Sequence, residues 1–154
     1  MAAAEMSTLC PVPAGPGKRI DGAVSLDAIE LGTDGVSIER GRPTRIVTLP
    51  QQWADAAIFP LHIPPGGHGD LFVLIRARVL NGQIGLGVLD REMKGYQIEK
   101  FVDAGPEPAD IYLPVPLPET AASLMIRNTA KGTVASRIEV EDVALVSAPA
   151  KPLQ

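Results

Sequence analysis

The chain carries a single cysteine, Cys10, so no internal disulfide can staple it. Aromatic residues are scarce, at three Phe, two Tyr and one Trp, which leaves Val, Ile, Leu and Ala to fill a core. Basic residues are outnumbered, 14 Lys and Arg against 18 Asp and Glu, giving a net charge of −4. Proteins that neutralise phosphates concentrate positive charge, so nucleic acid is not an expected partner. No apolar run approaches the roughly 18 residues a membrane helix needs. The longest, Leu71 to Ile75, stops at Arg76, and no membrane insertion is expected. The strings that mark a metalloprotease helix, a phosphate-binding loop, a dinucleotide fold, an EF-hand or a nucleophile elbow are missing too, and Gly85-Leu86-Gly87 is only a fragment of one. An enzyme is therefore not expected.

At 154 residues the chain is the size of one domain with one core. Residues 1–17 lack the basic start and apolar stretch of a secretory signal, and Pro11, Pro13 and Pro16 break any helix. They read as a flexible tail in which Cys10 is not a catalytic thiol. A cytoplasmic location is the default expectation. The folded domain is expected over 18–147, with a short C-terminal tail at 148–154.

What the sequence does have is punctuation: 15 Gly and 15 Pro at short intervals, with no long helical periodicity between them. The clearest strand is Leu71 to Leu80, where Leu71, Val73, Ile75, Ala77 and Val79 share one face and Arg76 and Arg78 project from the other. Asn81-Gly82 follows, a dipeptide that tolerates the positive φ angles of a tight hairpin, so Gln83 to Asp90 is expected to pair back on it antiparallel. There Ile84, Leu86 and Val88 take the core side, while Gln83, Gly85 and Gly87 leave a shallow opposite face. Tyr96–Val102, Asp110–Val115, Ala122–Asn128 and Val134–Val146 read as further strands. The last changes phase between Ile138/Val140 and Val143/Leu145, which predicts a bulge near Asp142. Gly35–Glu39, Thr44–Leu49 and Ala56–Leu61 are shorter candidates, and Ala23–Leu31 is ambiguous between a strand and a helical turn. Many short strands without crossover helices predict an all-β, antiparallel β-sandwich, a jelly roll of eight or nine strands.

Candidate chemistry is thin. His62 and His68 flank a Pro-Gly loop, too few ligands for a zinc site. Asp90 and Glu92 read as charges solvating a turn rather than as an acid/base pair. Glu139, Glu141 and Asp142 on the last strand are the right donors to join an early carboxylate, Glu39, around a structural calcium ion, against the plainer reading of an acidic strand edge that discourages sheet-to-sheet pairing. For binding, the candidates are Arg76, Arg78, Gln83 and Arg127, with Trp53, Tyr96 and Tyr112 as the available rings: planar hydrogen-bonding forks beside an aromatic face suit a saccharide. Trp53 as a core residue and the arginines as internal ion-pair partners are the competing readings.

The segments around Trp53, Phe59-Pro60-Leu61, Leu71 to Leu80, Gly82 to Asp90, Leu124-Met125-Ile126-Arg127-Asn128 and Ile138 to Leu145 together resemble carbohydrate-binding-module jelly rolls of the galactose-binding-like kind, over about Lys18 to Ser147. They are also similar to sandwich domains attached to bacterial glycosyltransferases and methyltransferases that act on surface polysaccharides. The resemblance implies glycan contacts from a concave sheet face or from edge loops, with Arg76, Arg78 and Arg127 as concave-face candidates. It also implies structural calcium at Asp142. Sparse aromatics and the lack of a secretion signal depart from that pattern. The resulting expectation is a non-catalytic carbohydrate-binding module serving bacterial polysaccharide synthesis or modification. Its competitor is a protein-interaction or homo-oligomerisation domain that covers the same face with protein.

Overall fold

The structure is a computed structural model that describes residues 13, 15, 17–65, 69–92 and 95–148. Cys10, His68, most of the N-terminal tail and residues 149–154 lie outside the described residues. The described chain forms eleven strands: β1 (Lys18–Arg19), β2 (Glu30–Leu31), β3 (Ser37–Glu39), β4 (Thr44–Val47), β5 (Asp55–Pro60), β6 (Leu71–Asn81), β7 (Gln83–Asp90), β8 (Tyr96–Asp103), β9 (Ala109–Pro114), β10 (Ala121–Asn128) and β11 (Arg137–Ser147). Eleven strands exceed the expected eight or nine, and the two shortest, β1 and β2, are two-residue pieces. β1 pairs with the end of β11, and β2 emerges from the ambiguous 23–31 stretch, which holds a 3-10 turn at Leu26–Ala28 as well as a strand.

The strands form two antiparallel sheets. The first has the order β3-β4-β11-β6-β9, with β1 beside β11; the second has the order β2-β5-β10-β7-β8. This corrects the hairpin expectation, because β6 and β7 lie in different sheets and do not pair. Gly82 does adopt a positive φ of 81°, but its turn hands the chain from one layer to the other. The crossing is held by Ser136, whose hydroxyl accepts from Gln83 N–H at 3.1 Å and whose Cα lies 3.1 Å from where a Gly82 Cβ would sit.

The alternation read from the sequence decides what each layer buries. Val73, Ile75, Ala77 and Val79 of β6 meet Ile84, Leu86 and Val88 of β7 and Leu124 and Ile126 of β10 in one core, with Phe59, Ile46 and Leu113 fully buried among them. Stacking two such inner faces is how antiparallel sheets remove apolar surface from water. The bulge near Asp142 is present: the β11–β6 register shifts between Val140 and Asp142, so Ile138, Val140, Val143 and Leu145 all reach the core. β6 is apolar on both faces over its first half because Phe72 and Leu74 join Ala144 and Val146, with Tyr112, in a small second cluster on the outer side of the first sheet.

Candidate ligand-binding site

The outer face of the second sheet is built on glycines. Gly85 and Gly87 point outward from β7, opposite Arg127 and Met125 of β10 on one side and Phe101 and Glu99 of β8 on the other. A Cβ on Gly87 would overlap the Tyr96 ring, and one on Gly85 would overlap the Glu99 carboxylate and lie 3.0 Å from Thr129 Cγ2. The glycines therefore do more than keep the face shallow. They let β8 lay Tyr96 and Glu99 flat across β7.

Arg127 lies on that floor. Its Nε and Nη2 donate to Glu99 Oε2 at 2.6 Å and Oε1 at 2.5 Å, a bidentate pair whose side chains are only 20% and 13% exposed. Its guanidinium stacks 4.7 Å from the centroid of Trp53 and 4.7 Å from that of Tyr96. The bond to Glu99 raises the Arg127 pKa, and burial pushes the Tyr96 phenol up to about 12 against a smaller opposing pull from Arg127. Arg127 is thus a fixed cation held between two rings.

Trp53 arrives from the loop before β5 with a φ of 75°, a left-handed conformation that is costly for a bulky side chain. The residue is 50% exposed, and its ring meets that of the 53%-exposed Phe101 edge-on, with centroids 6.3 Å apart at 68°. Two large rings thus face solvent above a partly buried ion pair. Beside them stand amides held in place: Gln83 Nε2 donates to Asp103 at 2.8 Å while its Oε1 accepts from Thr129 at 2.9 Å, and Gln52 donates to the Thr129 carbonyl at 3.2 Å.

Of the residues chosen from the sequence, Trp53, Gln83, Tyr96 and Arg127 come together here, and Trp53 is exposed rather than core. Arg76 and Arg78 do not join them. Because the Gly82 turn changes layer, both project from the outer side of the first sheet, where Arg76 bonds Asp110 and Glu141 at 3.2 Å each and Arg78 donates to the Gly105 carbonyl at 3.2 Å. Phe101 and Glu99 were missed. They share the outward phase of β8 with Asp103, but a register shift opposite Val88/Leu89 obscures the alternation at the start of that strand.

The proposed metal ligands are each engaged by arginine. Asp142 bonds Arg19 at 2.6 Å, and Glu39 bonds Arg45 at 2.8 Å, which also holds Glu139 at 3.0 Å. Among the described residues no group of three or more His, Cys, Asp or Glu side chains could hold a metal ion. His62 is an exposed loop residue whose N–H bonds the Ala23 carbonyl at 2.8 Å. Asp90, expected to be solvated, is buried: it accepts from Glu92 N–H at 2.9 Å, Gln97 at 2.8 Å and Thr120 at 2.5 Å, tying the end of β7 to β8 and to the start of β10.

No protein-family model matches the chain, and no curated protein matches it significantly. Solved structures do share its fold. It is similar to the CBM22-1–GH10 modules of the Clostridium thermocellum endo-1,4-beta-D-xylanase 10B, complexed with xylohexaose, at a TM-score of 0.56 and 16% identity, covering 86% of this chain and 29% of that one. It is similar also to a variant of the family 29 carbohydrate-binding module CBM29-2 (TM-score 0.55, 12% identity, 90% and 92% of the two chains). The first family 29 module of Piromyces equi gives a TM-score of 0.55 at 4% identity, over 88% of each chain. The fold is that of a carbohydrate-binding-module-like β-sandwich.

Proposed function

We propose that the chain is a non-catalytic carbohydrate-binding module whose site is the outer face of the second sheet. The observation that carries this reading is the exposed Trp53–Phe101 ring pair standing beside the rigid Arg127–Glu99 pair and the fixed amides of Gln83 and Gln52. A pyranose has apolar C–H faces and an equatorial fringe of hydroxyls. The rings offer surface to the first, and the planar amide and carboxylate groups offer donors and acceptors to the second. Strands hold every one of these groups except Trp53 and Gln52, so little conformational entropy is lost on binding. The solved modules that share the fold, among them one complexed with xylohexaose, support the reading. In this role the domain would keep a catalytic partner near its polysaccharide, in bacterial polysaccharide synthesis or modification.

The test is a glycan-array screen followed by calorimetric titration of each hit against Trp53→Ala, Phe101→Ala and Arg76→Ala. Loss of a ring contact worth about 1.4 kcal/mol weakens binding about tenfold. Trp53→Ala and Phe101→Ala are expected to weaken affinity at least that much, with Arg76→Ala, on the opposite sheet, unchanged. Absence of any glycan hit together with self-association that depends on Trp53 would replace this reading with the oligomerisation domain.

A further inference from the structure

We propose that Asn128 is a positioning residue that sets the place and angle of the Trp53 ring. Asn128 ends β10 immediately after Arg127 and is fully buried. Its side-chain Nδ2 donates to the carbonyls of Leu49 at 2.9 Å, Gln51 at 3.1 Å and Val134 at 2.8 Å, so three acceptors share its two hydrogens. Its Oδ1 accepts from Ala130 N–H at 3.1 Å and from the Ser136 hydroxyl at 2.7 Å. Its main chain completes the grip: the Asn128 N–H donates to Ala54 O at 2.9 Å, and its carbonyl accepts from Trp53 N–H at 2.5 Å.

One residue therefore brackets the whole loop from Leu49 to Ala54, the side chain holding 49 and 51 and the backbone holding 53 and 54. That loop carries the single positive-φ residue other than glycine among the described residues, Trp53. A bulky residue keeps such a conformation only where its surroundings over-determine it. The same grip fixes Trp53 over Arg127, the neighbour of Asn128 in sequence, at the 4.7 Å stacking distance. An aspartate at 128 would be close in shape but would present an oxygen where Nδ2 stands, aimed at carbonyls with nothing to donate. The loop would have to move and take the ring with it.

The consequence for binding rests on the reading of Trp53 as a glycan-contacting ring; the consequence for the ring itself does not. The experiment uses Trp53, the sole tryptophan of the chain, as its own reporter. Emission and acrylamide quenching are measured on the folded wild type, Asn128→Asp, Asn128→Ser and Val143→Ala, the last a core change in the first sheet; circular dichroism establishes folding. The Asn128 variants are expected to change the quenching constant at least twofold and to weaken any glycan hit at least tenfold, while Val143→Ala lowers Tm without altering either. Folded Asn128 variants with wild-type emission and quenching would overturn the proposal. Should both fail to fold, hydrogen exchange on the wild type decides: the Trp53 amide is expected to exchange as slowly as the amides of β10, and exchange at the rate of an exposed loop amide would sink the idea. A wild type that binds no glycan refutes the functional reading and leaves the fluorescence result to judge Asn128.

Discussion

Replacing Arg127 with methionine keeps a long, flexible side chain between Trp53 and Tyr96 and removes the charge. Two short bonds to Glu99, 2.6 and 2.5 Å, disappear, and the carboxylate, 13% exposed, remains on the sheet without its partner. Removing one member of a fully buried pair costs about 3–5 kcal/mol, and the residual exposure here favours the low end. Two cation–ring contacts of about 0.5–1 kcal/mol each are lost as well, partly offset by the contact of the methionine sulfur with the same rings. The expected net loss is about 3 kcal/mol, or a fall in Tm of about 6–12 °C at about 2–4 °C per kcal/mol for a domain of this size. Urea unfolding followed by circular dichroism measures it, since that signal does not depend on the tryptophan the substitution disturbs. Glu99→Gln leaves the guanidinium stacked and hydrogen-bonded and is expected to cost about 1–2 kcal/mol. The double variant, having no stranded charge, is expected to fall short of the sum by about 2 kcal/mol. A loss below about 1 kcal/mol for Arg127→Met, the worth of an exposed surface pair, or additivity in the cycle, would refute the account of this pair as the framework of the site.

Tyr96 is expected to titrate with a midpoint of about 12 when followed by tyrosinate absorbance, against roughly 10 in the unfolded chain. Burial favours the neutral phenol in the fold, so the stability this group contributes is whole below about pH 10 and is lost as pH rises through about 12; a native midpoint near 10 would show the ring open to water. Gly82→Ala and Gly22→Ala both place a side chain at positive φ, 81° and 77°, but only the first has a neighbour, Ser136, in the way. Gly22→Ala is expected to cost about 1 kcal/mol and Gly82→Ala at least about 2, with equal losses counting against the packed crossing between sheets. Calcium and chelator are expected to leave Tm unchanged, since Arg19 occupies Asp142 and Arg45 occupies Glu39; a rise in Tm that saturates with calcium would mean that an ion displaces one of these arginines.

The sequence carried the strands well, because burial on one face writes itself as alternation. Val73 to Val79, Ile84 to Val88, Leu124 and Ile126, and the phase change at Asp142 all stand where periodicity put them. What it did not carry was which strand joins which sheet. Asn81-Gly82 encodes a sharp reversal, and the same positive φ serves a hairpin within a sheet or a step between sheets. The deciding contact is Ser136, more than fifty residues away, which no local pattern announces. From that one ambiguity came the misplacement of Arg76 and Arg78. Trp53, Gln83, Tyr96 and Arg127 were found because their chemistry is conspicuous. Phe101 and Glu99 were not, because they sit on an edge strand whose inner face is only partly buried, where alternation is weakest.

The two outer faces differ in how their polar groups are used, and that difference argues for where a ligand sits. On the first sheet the charges answer one another in a lattice: Glu39 and Glu139 on Arg45, Asp110 and Glu141 on Arg76, Asp142 on Arg19. A ligand there would have to break exposed pairs, each worth little, only to replace them with equivalents, and the ring this face offers among the described residues, Tyr112, is partly buried edge-on against Phe72. On the second sheet the strong pair, Arg127 with Glu99, lies partly buried beneath the rings and serves as support, and the face turns the apolar ring surface of Trp53 and Phe101 to water, surface that hydration does not satisfy. Covering Trp53 and Phe101 releases that surface from water without first breaking a bond. The gain on binding is therefore available on one face of the sandwich and largely cancelled on the other.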